Sequence, residues 1–157
     1  MIKLFLTDVD GTLTDGGMYY TAEGDVMKCF YVRDGMGMQL LQKAGVKVGI
    51  ITSENTPIVE KRARKLGVDF LYQGVGFNRK VEAVEDLCQQ LGISMSEVAY
   101  IGDDVNDIAL LSVVGLAACP QDAEDQVKTI EGIMVTHKQG GKGAVREFAK
   151  YILKSVC

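Results

Sequence analysis

Tryptophan is missing from the 157 residues, histidine appears once, proline twice, and none of the four cysteines stands near another. Cys29, Cys88, Cys119 and Cys157 form no CxxC pair and have no histidine at zinc-ligand spacing, which argues against a metal site built on sulfur and fits free thiols in a reducing compartment. His137 stands alone beside a glycine-rich stretch and is given no chemical role. No apolar run approaches membrane-spanning length, and the chain enters Ile2 to Thr7 without a basic leader, so a soluble, cytoplasmic protein with no membrane partner is expected. Positive charge is also scarce: 17 Lys and Arg stand against 21 Asp and Glu, for a net charge of -4 and a pI near 5.0. Attraction to a nucleic-acid backbone is therefore not expected, and an anionic small molecule would need locally placed cations. Proline-rich linkers, internal repeats and composition shifts are absent as well. With 47% hydrophobic residues, the chain suits one domain over residues 1–157.

What is present is a regular alternation. Leu4 to Thr7 reads as a buried strand that stops at Asp8-Val-Asp10-Gly11. Met18 to Thr21 and Val26 to Val32 flank Ala22-Glu-Gly-Asp25 and predict a β-hairpin insert over about 17–32. Helices are predicted over Asp34 to Ala44, Thr56 to Leu66, Lys80 to Leu91 and Asn106 to Val113, with a short one near Glu124 and a final one from about Gly143. Strands are predicted at Val46 to Ile51, Phe70 to Tyr72, Val98 to Ile101, Leu116 to Ala118 and Ile133 to Val135. Ser94-Met-Ser-Glu97 matches a capping box but precedes a predicted strand, so a local turn is expected there. The pattern implies an α/β fold with a doubly wound parallel sheet. A glycine-rich tail and helix occupy about 138–157, and Gln139 to Gly143 is expected to be a mobile loop.

Ligands of such sheets bind at the carboxyl ends of the strands. Asp8 and Asp10 follow the first strand, Thr52 and Ser53 the second, and Gly102-Asp103-Asp104-Val-Asn-Asp107 the fourth, with Lys80 just past the third. Clustered carboxylates raise one another's pKa unless a cation intervenes, and an all-oxygen donor set favours a hard ion, Mg²⁺, with Asp8 and Asp103 as side-chain ligands. Asp8 can then attack a phosphoryl group, Asp10 can protonate the departing alcohol and later activate water, and Thr52 and Lys80 can hold the phosphate oxygens. Taken singly, Asp8-Val-Asp-Gly is an ordinary turn, Thr52 a helix cap and Lys80 a solvated helix residue. Their joint occurrence on one rim is what carries the chemistry.

The order Asp8-x-Asp10, Thr52, Lys80 and Gly102-Asp-Asp-x-x-Asp107 resembles the haloacid dehalogenase superfamily of phosphohydrolases across almost the whole chain. The resemblance implies Asp8 as nucleophile, Asp10 as acid and base, metal ligation by Asp8, Asp103 and the main-chain carbonyl of Asp10, and support from Asp104 and Asp107. Leu13-Thr-Asp-Gly16, Arg33-Asp-Gly-Met-Gly37, Tyr72-Gln-Gly74 and Gly140-Gly-Lys-Gly-Ala-Val-Arg-Glu147 resemble the sugar-acid phosphatases of 3-deoxy-octulosonate 8-phosphate. That group has no separate cap domain; its hairpin builds a homotetramer, and its tail helps close a neighbour's site, a role implied here for Gly140, Gly141, Lys142 and Arg146. Ser53-Glu54 stands where the group has Gly-Arg, and Glu54, Arg62 and Lys65 resemble phosphatases of the nine-carbon acid 2-keto-3-deoxy-nononate 9-phosphate (KDN 9-phosphate), which is the substrate this resemblance predicts. The rivals from other classes are a phospho-accepting receiver and a catalytically silent interaction domain, against which stand the x-spaced acid pair and the intact Asp8, Asp10, Lys80 and Asp103.

Overall fold

The computed structural model describes residues 1–156; Cys157, the last position of the expected tail, lies outside the described residues. Leu4–Thr7 forms β1, fully buried, and its side chains alternate: Phe5 enters one hydrophobic core, Leu4 and Leu6 the other. A strand covered on both faces has no use for polar residues, which is why this stretch reads as a continuous apolar run. The chain continues through β2 (Tyr19–Thr21), β3 (Gly24–Met27), α1 (Val32–Lys43), β4 (Lys47–Ile51), α2 (Pro57–Leu66), β5 (Phe70–Tyr72) and α3 (Lys80–Leu91). It ends through β6 (Val98–Ile101), α4 (Ile108–Leu111), β7 (Leu116–Cys119), α5 (Asp125–Lys128), β8 (Met134–Val135) and α6 (Ala144–Val156).

Six strands form one parallel sheet in the order β5-β4-β1-β6-β7-β8, and β2 pairs with β3 in a separate antiparallel hairpin. Met38, Leu41, Val59, Ala63, Phe148 and Ile152 bring α1, α2 and α6 onto one face. Val84, Leu87, Leu110, Leu111 and Val127 bring α3, α4 and α5 onto the other. This is the expected doubly wound fold with a hairpin insert and no cap domain. Strand order reverses at β1, which has β4 on one side and β6 on the other, and sheets of this kind have their ligand crevice at the carboxyl ends of the strands there, β1 and β6. The Asp8 N–H donates to the Ile101 carbonyl at 3.0 Å and ties the two strand ends together there. Among the described residues, no helix is long and apolar enough to cross a membrane.

Several boundaries depart from the sequence reading, each for a local reason. The second hairpin strand ends at Met27 rather than Val32, because the Lys28 side chain turns inward to two carboxylates. The helix expected over Asn106 to Val113 is a 3₁₀ turn, Val105–Asp107, followed by the short α4; the Asp107 carboxylate accepts from the Asp103 and Asp104 N–H groups and tightens the first turn. Ser94 and Glu97 do form a capping box, on a 3₁₀ turn at Met95–Glu97. Thr56 caps α2 by accepting from the Ile58 N–H at 3.2 Å, with Pro57 at the first helical position.

The helix pair α1 and α6 contains an uneven charge balance. Asp34, in the first turn of α1 and 1% exposed, accepts from the Arg146 N–H at 2.8 Å, while its Oδ2 is buried without a partner. Burial pushes its carboxyl up to about 6, against the opposing pull of backbone N–H groups of Arg146 and Gly143 and of the Arg62 charge. The folded chain therefore keeps this proton to higher pH than the unfolded chain, so stability falls as pH rises from about 4 to about 6 and stays lower above that. Asp34→Asn is expected to raise stability near neutral pH by up to about 3 kcal/mol and to change it little near pH 4, by denaturant unfolding at both pH values. An equal effect at both would show that the Asp34 charge is not the cause.

Candidate active site

Each acid at the crevice is held by a different part of the chain. Asp8 directly follows β1 and is 6% exposed; its Oδ1 accepts from Lys80 Nζ at 2.9 Å. Lys80 opens α3 and is 1% exposed, so it is no solvated helix residue; it also donates to Asp107 Oδ1 at 2.6 Å and to the Tyr100 hydroxyl at 3.2 Å. Thr52 is buried at the end of β4, pinned by its N–H on the Tyr72 carbonyl and by its carbonyl on the Val75 N–H. Asp103 follows β6 and accepts from Thr12 Oγ1 at 2.9 Å, across the crevice. A Cβ on Gly11 would stand 2.0 Å from Asp103 Oδ2, and its φ of +88° lies in the left-handed region, so only glycine lets the two turns approach this closely.

The electrostatics is that of an under-neutralised acidic cluster. Burial, and next the Asp107 charge, push Asp8 well above the usual carboxylate range, with Lys80 opposing. Burial lifts Asp103 to about 7; the Thr12 hydrogen bond opposes this, and the charges of Asp107 and Asp104 add to it. Lys80 is raised, the attraction of Asp8 and Asp107 exceeding the penalty of burial, and burial raises the Tyr100 hydroxyl further. A carboxylate must be ionised to attack phosphorus, so the cluster calls for another cation.

Carboxylate oxygens of Asp8, Asp103 and Asp107 lie within 4.8 Å of one another. Asp107 is unsuited to ligation, however: it is 0% exposed, and its two oxygens accept from Lys80, Tyr100 and the Asp103 and Asp104 N–H groups. That leaves Asp8 and Asp103 as the side chains that could hold a cation, while Asp107 accepts from the Asp103 N–H. The donors are all oxygen, which suits a hard divalent ion such as magnesium. Asp104 is exposed and caps the turn, accepting from the Val105 N–H at 2.6 Å.

Asp10 completes the group through a partner the sequence reading missed. Its Oδ1 accepts from Lys28 Nζ at 2.5 Å, and Lys28 also meets Asp25 Oδ2 at 3.0 Å. Hydrogen bonds to both acids raise Lys28 in spite of its burial. Thr12, Tyr100, Asp25 and Lys28 carry no signal in the sequence that marks them as partners of the acids. Thr12 lies within the acidic turn and Tyr100 within an apolar run, while Lys28 closes an exposed-looking hairpin that carries no pattern of its own.

The remaining expected residues are dispersed. Glu54 is exposed ahead of α2 and Lys65 exposed in its last turn, about 12 Å further along the helix, and no ion pair joins them among the described residues. Arg62 packs its guanidinium over the Phe30 ring at 5.4 Å. The glycine-rich segment is no free loop, since Gly140 donates to Asp122 Oδ1 at 2.9 Å and Gly141 to the Thr12 carbonyl at 3.0 Å. A Cβ on Gly140 would stand 1.8 Å from the Gly11 carbonyl oxygen, so this segment buttresses the acidic turn of its own chain. Lys142 and Arg146 instead line a cavity of about 630 Å³ with Tyr31, Arg33, His137 and Lys138.

A doubly wound sheet with a buried carboxylate-and-lysine pair and an all-oxygen acid set at its switch point is suited to phosphoryl transfer. The family model for haloacid dehalogenase-like hydrolases matches residues 29–115, more than half of the chain. The 3-deoxy-D-manno-octulosonate 8-phosphate (KDO 8-phosphate) phosphatase KdsC of Haemophilus influenzae is 38% identical over 98% of this chain and 84% of its own length. Its counterpart in Escherichia coli K12 is 39% identical over 97% and 79%. The crystal structure of the Moraxella catarrhalis KDO 8-phosphate phosphatase with magnesium, phosphate and KDO superposes with a TM-score of 0.92 at 40% identity, covering 98% of this chain and 87% of that one. The chain belongs to the haloacid dehalogenase-like hydrolases and is a phosphatase closely related to KdsC.

Asp107→Asn is expected to lower divalent-cation affinity by about 10- to 100-fold, because an amide cannot accept from four donors and Asp103 loses its anchor. Titration calorimetry on the folded variant checks this, and an unchanged affinity would remove Asp107 from the support of the site.

Proposed function

We propose that this enzyme hydrolyses 3-deoxy-D-manno-octulosonate 8-phosphate, through a phospho-aspartate on Asp8. The observation that carries the substrate is the 38–40% identity to KDO 8-phosphate phosphatases over nearly the whole chain. The nine-carbon reading rested on Glu54, Arg62 and Lys65, which do not meet within one chain; it remains the competing outcome of the test because Ser53-Glu54 follows Thr52.

An Asp8 carboxylate oxygen forms a bond to phosphorus as the bond from phosphorus to the sugar oxygen breaks, and Asp10 gives its proton to that departing oxygen. Asp10, now a carboxylate, takes a proton from water as the water attacks the phospho-aspartate, which releases phosphate and restores Asp8. Lys80 and Thr52 hold charge on the phosphoryl oxygens through both steps. Asp8, Asp103 and the Asp10 carbonyl would hold magnesium, which would supply the positive charge that keeps Asp8 ionised and offsets the negative charge of the phosphate. The basic residues of the neighbouring cavity, Arg33, Lys138, Lys142 and Arg146, give an anionic substrate a favourable approach on a chain of net negative charge.

With magnesium, the purified enzyme is expected to show kcat/KM at least about tenfold higher for the eight-carbon than for the nine-carbon phosphate, a difference of about 1.4 kcal/mol in transition-state binding. The reverse ratio would establish the nine-carbon reading, and hydrolysis of neither would overturn both. Asp8→Asn should abolish turnover while preserving the fold by circular dichroism; retained turnover would remove Asp8 as nucleophile. We also propose a homotetramer assembled through the hairpin, where Met18, Tyr19, Tyr20, Val26 and Met27 are all exposed. Sedimentation as a monomer at micromolar concentration would refute it.

A further inference from the structure

The hairpin does more than present an apolar surface. Its last residue before the chain returns to the domain is Lys28, whose side chain is 1% exposed in a protein that keeps most of its cations in solvent. Lys28 Nζ lies 2.5 Å from Asp10 Oδ1 and 3.0 Å from Asp25 Oδ2. Burying one ammonium between two carboxylates costs desolvation of all three groups, and such clusters return little net stability. The reason for this one therefore lies in what it holds.

Asp10 sits in the turn that follows β1, where the N–H groups of Thr12, Leu13 and Thr14 all bond to the Val9 carbonyl and none reaches the Asp10 side chain. The Lys28 ammonium is the side-chain partner of Asp10 Oδ1, and Oδ2 is buried with no partner among the described residues. One oxygen is tethered and the other keeps its hydrogen-bonding capacity unused. Asp8, Asp103 and Asp107 are each held by groups from the sheet, α3 or the acidic turn. Asp10 alone among the four is held from the insert.

We propose that Lys28 is a positioning residue for the reaction: it selects the Asp10 rotamer whose second oxygen meets the leaving-group oxygen, so that the placement of the hairpin governs proton transfer. This rests on the reading of Asp10 as acid and base. A carboxylate acts as an acid only within hydrogen-bond reach of the oxygen it protonates, and without its tether Asp10 is free to populate other staggered rotamers. Asp25 fixes the lysine from its other side, three residues earlier on β3.

The test measures single-turnover release of the alcohol from a sugar-acid phosphate and from para-nitrophenyl phosphate, whose phenolate departs without needing a proton. Lys28→Met is expected to slow the first reaction about 10²- to 10⁴-fold and the second by less than about tenfold, with KM changed by less than about threefold. Lys28→Arg should restore most of the lost rate, and Asp25→Asn, which keeps the lysine and loosens its anchor, should show the same leaving-group selectivity at smaller size. Asp25→Asn decides the matter if Lys28→Met does not fold. Equal losses with both leaving groups, or a change in KM alone, would overturn the proposal. Asp10→Asn separates the two ideas: if it shows no leaving-group dependence, the acid role of Asp10 falls as well; if it does while the Lys28 and Asp25 variants do not, only the positioning role falls.

Discussion

Mutual repulsion among buried carboxylates is the constraint around which this molecule is arranged. Asp8, Asp103 and Asp107 bring their oxygens within 4.8 Å of one another at the mouth of a parallel sheet, where burial strengthens every charge interaction. Lys80 answers part of that repulsion and is buried because of it, bridging Asp8 and Asp107 while resting against Tyr100. What Lys80 leaves uncompensated is available as binding energy to a divalent cation, which in turn offsets the charge of a phosphate. A site with its charges already balanced would have less to gain from the cation.

The fold serves this cluster by dividing its support. The sheet sets Asp8 beside the end of β6, the 3₁₀ turn after β6 orients Asp103 through Asp107, and the hairpin reaches Asp10 through Lys28. The glycine-rich segment then braces the acidic turn from outside, at contact distances that exclude any side chain on Gly140. Acids gathered in one cluster are thus fixed by elements far apart in sequence.

Chemistry and substrate separate along the same lines. The reaction depends on short distances inside one crevice, which the tertiary fold supplies within a single chain. Discrimination between eight- and nine-carbon acids depends on groups that meet the far end of a sugar, and Glu54, Arg62 and Lys65 are spread along and ahead of α2 rather than gathered. Similarity over nearly the whole chain therefore carries the substrate reading better than that local triplet does.

The alternation of apolar strands with amphipathic helices, the glycine stops and the acids at strand ends were all legible in the sequence, because each is a local requirement of backbone geometry or burial. Asp8, Asp10, Thr52, Lys80 and Asp103 could be picked out because they directly follow recognisable strands or open a recognisable helix. Tertiary structure alone decided the partners: that Asp107 spends both oxygens on four donors, that Thr12 spans the crevice to Asp103, and that Gly140 leans on Gly11. It also decided that a lysine closing an exposed hairpin is buried against Asp10. These contacts join residues far apart in the chain, Thr12 and Asp103 by 91 positions and Gly11 and Gly140 by 129, and nothing in local composition announces them.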